Sequence, residues 1–252
     1  MAWAADPPAK TLVVPGETFW VAGRPAFLFH AAGPQRRSPQ PWVLYAPTLA
    51  PYPDAHEKWL HERITQAGVA VAGIDVGEAY GSPQGNEGLT KLYEEMVGKR
   101  GFSPKPCLLG RSRGGLWVTS WAAANPEKVG GVAGIYPVFD FRTYPGIARA
   151  APAYGVSAEE LQRRAPEWNP IERVSQLAKA RIPAFLIHGD VDKVVPLREN
   201  SAEFRARYQA AGAGDSVRLV VAEGQGHNFW PGFFQNEEFV AFVIRQATGA
   251  KD

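Results

Sequence analysis

The sequence predicts an α/β fold: a mostly parallel central sheet with helices on both faces. Three observations carry this. Strand-sized apolar runs alternate with longer segments of helical periodicity. Runs such as "PWVLYAP" and "VAVAGID" are apolar nearly throughout, as strands buried on both faces require. The chain, at 252 residues and 45% hydrophobic, is long enough to bury one large core, so a single domain is expected over 1–252.

The elements follow in order. "KTLVVPG", "TFWVAG" and "PAFLFH" are short β-rich runs split by Pro and Gly, and predict an antiparallel edge. "PWVLYAP" is the first buried strand. "DAHEKWLHERITQAG" has Asp54 as N-cap, Gly68 as stop, and Trp59, Leu60, Ile64 and Ala67 at helical spacing. "VAVAGID" is a strand, and "NEGLTKLYEEMVGKR" a helix with Leu89, Leu92, Tyr93 and Met96 on one side. "KPCLLG" is a strand, and "GGLWVTSWAAANPE" begins a helix directly after Ser112. "VGGVAGIYPV", "IPAFLIHG" and "VRLVVAEG" complete the strands, with late helices in "NSAEFRARYQAAG" and "NEEFVAFVIRQATG". Between Phe139 and Val174 the rhythm breaks into aromatics, arginines and prolines with one short helical segment. A connection that long predicts a small cap or lid insertion over 139–174.

Bulk properties exclude several classes. Net charge is +2 with no basic run, which gives no electrostatic reason to expect a nucleic-acid partner. No apolar stretch approaches the roughly 20 residues of a membrane span. The one cysteine, Cys107, excludes an internal disulfide and cysteine-rich metal sites, and reads as a small core residue. There is no HExxH or paired His/Asp pattern, so neither metal nor cofactor is expected. Ala2-Trp3-Ala4 before Ala5-Asp6 has the shape of an A-x-A cleavage site without its apolar region. That leaves export to a periplasmic or extracellular location open beside a cytoplasmic one.

The chemistry centres on Gly110-Arg111-Ser112-Arg113-Gly114, which has G-x-S-x-G spacing between a buried strand and a helix. There a serine occupies a sharp turn with its hydroxyl exposed above the sheet, and glycines two residues to either side avoid collision across the turn. A Gly-rich strand–helix turn with a capping serine fits the same residues. A nucleophilic serine needs a base, and the base an orienting acid. Asp190 and Asp192 lie in the loop after the strand Ala184–Ile187, and His227 in the loop after Val217–Val221. All three loops fall at strand C-terminal ends, where α/β sheets bind ligands, in the order Ser, Asp, His.

With these motifs the chain resembles the α/β-hydrolase superfamily of serine hydrolases, in its dienelactone-hydrolase and prolyl-oligopeptidase-like branch. The likeness runs from Trp42 to the C-terminus and rests on "GRSRGG", "HGDVDKVVP" and "GQGH". It implies an α/β-hydrolase fold and a catalytic Ser112, Asp192 and His227. The acid it implies is the aspartate three residues past the glycine of the second motif, with Asp190 stabilising the loop and His188 structural. His30, His56 and His61 read as structural or solvated.

An oxyanion hole needs two donors. The backbone N–H of Arg113 is one. The other comes from the loop after Val43–Ala46, where Pro47 has no N–H, which leaves Thr48 and then Leu49. Many relatives carry His-Gly-x there, and this chain departs from it. The Arg113 side chain admits three roles: a charge-assisted donor to the oxyanion, a reader of a substrate carboxylate, or a loop clamp paired with Glu78 or Asp75. Glucuronoyl esterases are similar in having arginine directly after the nucleophile. Arg111 reads as a structural ion pair. Glu78, Tyr80, Trp230 and Trp168, with Tyr136 and Tyr144, are the expected pocket residues.

The expected function is a serine carboxylesterase working through an acyl-enzyme on a small-molecule or polysaccharide ester, with carbohydrate or aromatic esters favoured. A prolyl-oligopeptidase-like peptidase is the alternative, although the chain has no room for the propeller such enzymes carry. A catalytically silent binding protein is a third, and the intact Ser, Asp and His argue against it.

Overall fold

The structure, a computed structural model, describes residues 6–33 and 37–250. The A-x-A stretch lies outside them. Among the described residues eight strands form one sheet: β1 (Gly16–Val21), β2 (Arg24–Phe29), β3 (Trp42–Ala46), β4 (Ala70–Ile74), β5 (Cys107–Arg111), β6 (Gly131–Ile135), β7 (Ala184–Gly189) and β8 (Val217–Ala222). Their spatial order is β1-β2-β4-β3-β5-β6-β7-β8. β1 and β2 run antiparallel, β2 meets β4 antiparallel, and every pairing from β4 to β8 is parallel. The β1–β2 turn is Ala22-Gly23, both at positive φ, the backbone that a two-residue hairpin needs to follow the strand twist.

Nine α-helices cover the sheet: α1 (Lys58–Gln66), α2 (Pro83–Tyr93), α3 (Gly114–Ala124), α4 (Ile147–Tyr154), α5 (Ala158–Trp168), α6 (Pro170–Lys179), α7 (Glu203–Ala210), α8 (Pro231–Phe234) and α9 (Glu237–Thr248) among the described residues. The period-two alternation of the strands sorts their side chains to two cores. Trp42, Leu44, Leu108, Val132 and Leu186 point to the face that packs on α2, α3, α6 and α7 through Leu89, Trp117, Trp121, Val174, Leu177 and Phe204. Val43, Tyr45, Leu109, Ile135 and Ile187 point to the face covered by α1 and α9 through Leu60, Ile64, Phe239, Val240 and Val243. Strand direction places the ends of β3, β5, β6, β7 and β8 along one rim. The chain leaves β3 to one side for β4 and returns on the other for β5. That switch point opens a crevice between their ends.

Three expectations shift. "KTLVVPG" forms no strand of its own, its last residue, Gly16, only opening β1; Val14 is buried against the α1 face as part of an irregular segment. The helix expected over Asn86–Arg100 begins earlier, at Pro83, because Ser82 caps it by accepting from Gly85 N–H. It then widens to a π-helical stretch over Glu94–Lys99. The segment 139–174 holds α4, α5 and the start of α6 rather than one short helix. Pro152 and Pro166 lie inside α4 and α5, which is why the run reads as irregular. It is anchored in the core: Phe139 packs on Phe204 with ring centroids 4.5 Å apart, and Tyr154 O–H donates to the Tyr80 carbonyl at 2.8 Å.

Phe139 is fully buried where that segment leaves the sheet. Truncation by Phe139→Ala is expected to cost about 3–5 kcal/mol, read as a drop in the urea midpoint. A cost within error of zero would show that the segment is not integrated with the core.

Candidate active site

Ser112 sits between β5 and α3 with φ of +51°, in the left-handed region that a residue with a Cβ enters only under strain. Its neighbours show why the flanking residues are glycines. A Cβ on Gly110 would lie 2.9 Å from Gly115 N, and one on Gly114 would lie 2.2 Å from the Ala46 carbonyl oxygen. The turn is held by hydrogen bonds from Ser112 N–H to Ile135 O at 2.9 Å and from Val138 N–H to Ser112 O at 2.8 Å.

The loops after β7 and β8 meet this turn. Ser112 Oγ is 2.9 Å from His227 Nε2, and His227 Nδ1 is 2.7 Å from Asp192 Oδ2. An ionised Asp192 accepts only, so Nδ1 carries the proton and Nε2 is free to accept from the serine. The other oxygen, Asp192 Oδ1, accepts from the N–H groups of Val194 at 2.9 Å and Val195 at 2.8 Å. Burial pushes the Asp192 carboxyl up. Hydrogen bonds from His188, His227 and the Val195 N–H outweigh that and hold it well below the usual carboxylate range. His188 is fully buried, with Nε2 2.8 Å from the Val195 carbonyl and Nδ1 2.8 Å from Ser201 Oγ; it braces the loop. Asp190 is exposed and does not join the line.

Arg111, 4% exposed, points below the serine. Its Nη1 donates to Asp54 Oδ2 at 2.9 Å and to Glu57 Oε2 at 2.7 Å, and its Nε to Tyr136 Oη at 3.3 Å. Glu57 is fully buried and also accepts from Tyr45 O–H. Burial raises its pKa, against the pull of Arg111 and Tyr45. For Arg111, burial acts against its charge, but Glu57 and its other neighbours raise its pKa further, so it stays cationic. The rings of Tyr52, Phe229 and Phe234 surround its guanidinium, with centroids 5.0–5.4 Å away. Tyr136 in turn packs on His227 with ring centroids 4.2 Å apart.

A cavity of about 230 Å³ opens on Ser112 and His227, walled by Tyr52, Tyr136, Tyr144, Phe229, Pro47 and Val194, with Arg111 and Arg113. The expected pocket residues fare unequally. Glu78 pairs with Arg113 Nη1, so the arginine beside Ser112 already has an anionic partner in its own chain. Tyr80 is buried and does not line the cavity; burial and then Glu78 push its pKa up to about 12. Trp168 stacks on Tyr154 and Arg164 away from the cavity, and Trp230 packs against Phe233 outside it. Thr48 is buried behind Pro47. Its hydroxyl donates to the Ile74 carbonyl, and Lys10 Nζ donates to its carbonyl at 3.2 Å. The walls missed from sequence, Tyr52 and Phe229, come from irregular segments without periodicity. Among the described residues no cluster of His, Cys, Asp and Glu could hold a metal ion, and no helix is long and apolar enough to cross a membrane.

A serine at a strained strand–helix turn on this sheet defines an α/β-hydrolase-fold serine hydrolase. Residues 96–245 match the prolyl oligopeptidase family, and the chain belongs to it. None of the curated proteins matches it. Solved structures share the fold at low identity. Est1E from Butyrivibrio proteoclasticus is 19% identical at a TM-score of 0.68, with 92% of this chain and 99% of that one covered. MPT51 of Mycobacterium tuberculosis is 14% identical at a TM-score of 0.72, with 93% and 99% covered. Pyrococcus horikoshii acylaminoacyl peptidase is 13% identical at a TM-score of 0.71, and this chain covers 42% of its length.

Two stability changes follow. Arg111→Met leaves Glu57 buried without its cation and is expected to cost about 3–5 kcal/mol at pH 7, with part recovered in the Arg111→Met/Glu57→Gln double variant. Urea titration of the three proteins checks this, and an Arg111→Met as stable as wild type would refute it. His61 is fully buried beside this cluster, and neither ring nitrogen has a hydrogen-bond partner. Burial and then Arg111 lower its pKa to about 3. Its stabilising contribution is therefore full above about pH 6.5, the value for a free imidazole, and is lost as pH falls towards 3. His61→Phe is expected to flatten the pH dependence of unfolding between those limits, by up to about 1.4 kcal/mol per pH unit. Parallel curves for variant and wild type would contradict it.

Proposed function

We propose that the protein is a carboxylic ester hydrolase working through an acyl-enzyme. The observation that carries this is the hydrogen-bonded line from Ser112 through His227 to Asp192 at the mouth of a small aromatic cavity. His227 Nε2 takes the Ser112 proton as Oγ attacks the ester carbonyl, and Asp192 stabilises the imidazolium and fixes its tautomer. Negative charge on the carbonyl oxygen falls to the Arg113 N–H at the start of α3 and to the Thr48 N–H. His227 then protonates the leaving alcohol. Next it activates a water that attacks the acyl-enzyme, which releases the acid and restores Ser112.

For substrates, the aromatic walls support carbohydrate or aromatic esters. The Arg113–Glu78 pair supports the loop-clamp role for that side chain over the reading of a substrate carboxylate. The insertion over 139–174 contributes to the cavity through Tyr144. A prolyl-oligopeptidase-like peptidase is the second reading, favoured by the family match.

With p-nitrophenyl acetate, Ser112→Ala is expected to lose activity by on the order of 10³ or more, and a fluorophosphonate should label wild type at Ser112 alone. Equal turnover by both proteins would sink the proposal. Cleavage of a proline-containing fluorogenic peptide without ester turnover would favour the peptidase.

A further inference from the structure

Among the described residues, six large hydrophobic side chains stand exposed, and they are unevenly placed. Trp20 lies on β1, at one edge of the sheet. Val191, Val194, Phe229 and Trp230 lie in the two segments that carry Asp192 and His227, and Val221 is near the end of β8, just before the second. Those segments are tied together. Asp190 N–H donates to the Ala222 carbonyl at 3.2 Å and Val191 N–H to the Gln225 carbonyl at 3.1 Å. At Gly189 the backbones approach so closely that a Cβ would lie 2.1 Å from Gln225 O. Gly224 to Phe234 contains no Asp, Glu, Lys or Arg; the loop after β7 carries the exposed charges Asp190 and Lys193 to either side of Val191, and exposed Glu223 precedes the second loop. Val194 and Phe229 also line the cavity, so apolar surface continues from the reacting serine outward.

Exposed apolar side chains gathered on two loops that hydrogen-bond to one another and open onto the cavity, the second loop free of charge, mark a binding surface. The position of His227 says which part of the substrate reaches it. As the tetrahedral intermediate collapses, the proton on His227 Nε2 passes to the alkoxy oxygen, the C–O bond breaks, and the alcohol departs as neutral R–OH. That oxygen must come within hydrogen-bond reach of Nε2, so R extends over the loops beside His227. The acyl part stays bonded to Ser112 Oγ, and a cavity of about 230 Å³ suits a short one.

Resting on the ester-hydrolase reading, we infer that the natural substrate is a short-chain acyl ester of a bulky apolar alcohol, aromatic or branched alkyl, whose alcohol part is seated on Val191, Val194, Phe229 and Trp230. This selects aromatic over carbohydrate among the esters proposed above.

The test is a series of acetates of ethanol, 1-hexanol, cyclohexylmethanol and 2-naphthylmethanol, with an O-acetylated methyl xyloside alongside. It is run on wild type and on the Val194→Ser/Trp230→Ser double variant. The reading is the ratio of kcat/KM for naphthylmethyl over ethyl acetate, which does not depend on the fraction of folded enzyme. Wild type is expected to favour the naphthylmethyl ester by about tenfold or more, and the double variant to lose most of that preference. Turnover that is flat or falling with alcohol size, a faster xyloside acetate, or a variant that keeps the ratio would each overturn the inference while leaving the ester-hydrolase reading standing. If no acetate is turned over although a fluorophosphonate labels Ser112, the ester reading fails and this inference with it.

Discussion

The arrangement depends on how closely the backbone between β5 and α3 passes its neighbours. Side chains are excluded at Gly110, Gly114 and Gly115, where a Cβ would strike the start of α3, the end of β3 and the chain after β6 respectively. Ser112 thus sits at a turn whose glycines, two residues to either side, let the backbone pass its neighbours. Its positive φ costs on the order of 1 kcal/mol, and the hydrogen bonds to Ile135 and from Val138 offset it. The same close packing sets the start of α3 beside the serine, so the N-terminal end of a helix dipole lies next to the oxygen that would carry negative charge.

Electrostatics then separates the two arginines that flank the serine. They are two residues apart on a turn, so they leave it in different directions. Arg111 goes under the turn into a buried cluster with Asp54, Glu57 and Tyr136, and supports the site from below. Arg113 stays at the rim and pairs with Glu78. Each is paired with a carboxylate of its own chain. A cation beside Ser112 is explained in one case by the need to neutralise a buried glutamate, and in the other by an ion pair across the rim.

Much of this was legible in the sequence because it rests on local rules. Continuous apolar runs mark strands buried on both faces, and the ends of those strands locate Ser112, Asp192 and His227 in neighbouring loops. Asp54 as N-cap and the glycines around Ser112 follow from backbone geometry alone. What could not be read depends on three-dimensional approach. Tyr52 and Phe229 reach the cavity from irregular segments. Trp168, chosen for its chemistry, is claimed instead by Tyr154 and Arg164, and Trp230 lies on Phe233 outside the cavity rather than in its wall. Prolines inside α4 and α5 concealed two helices whose burial overrides the local penalty. Choosing Glu78 over Asp75 as the partner of Arg113 needed the loop's path.

The capping box at the entry to α1 reaches further than its own helix. Asp54 accepts from His56 N–H with one oxygen and holds Arg111 with the other, while Glu57 closes the box on Asp54 N–H and also takes Arg111 and Tyr45. A device that ordinarily belongs to one turn of chain is here shared with a strand more than fifty residues away. The start of α1 and the residue before Ser112 are therefore one inheritable unit. Loss of Arg111 alone leaves Glu57 buried without its cation, and loss of Glu57 alone leaves Arg111 with the part-exposed Asp54 as its remaining carboxylate. The path by which such a sequence drifts must pass through paired replacements, or not touch this corner at all.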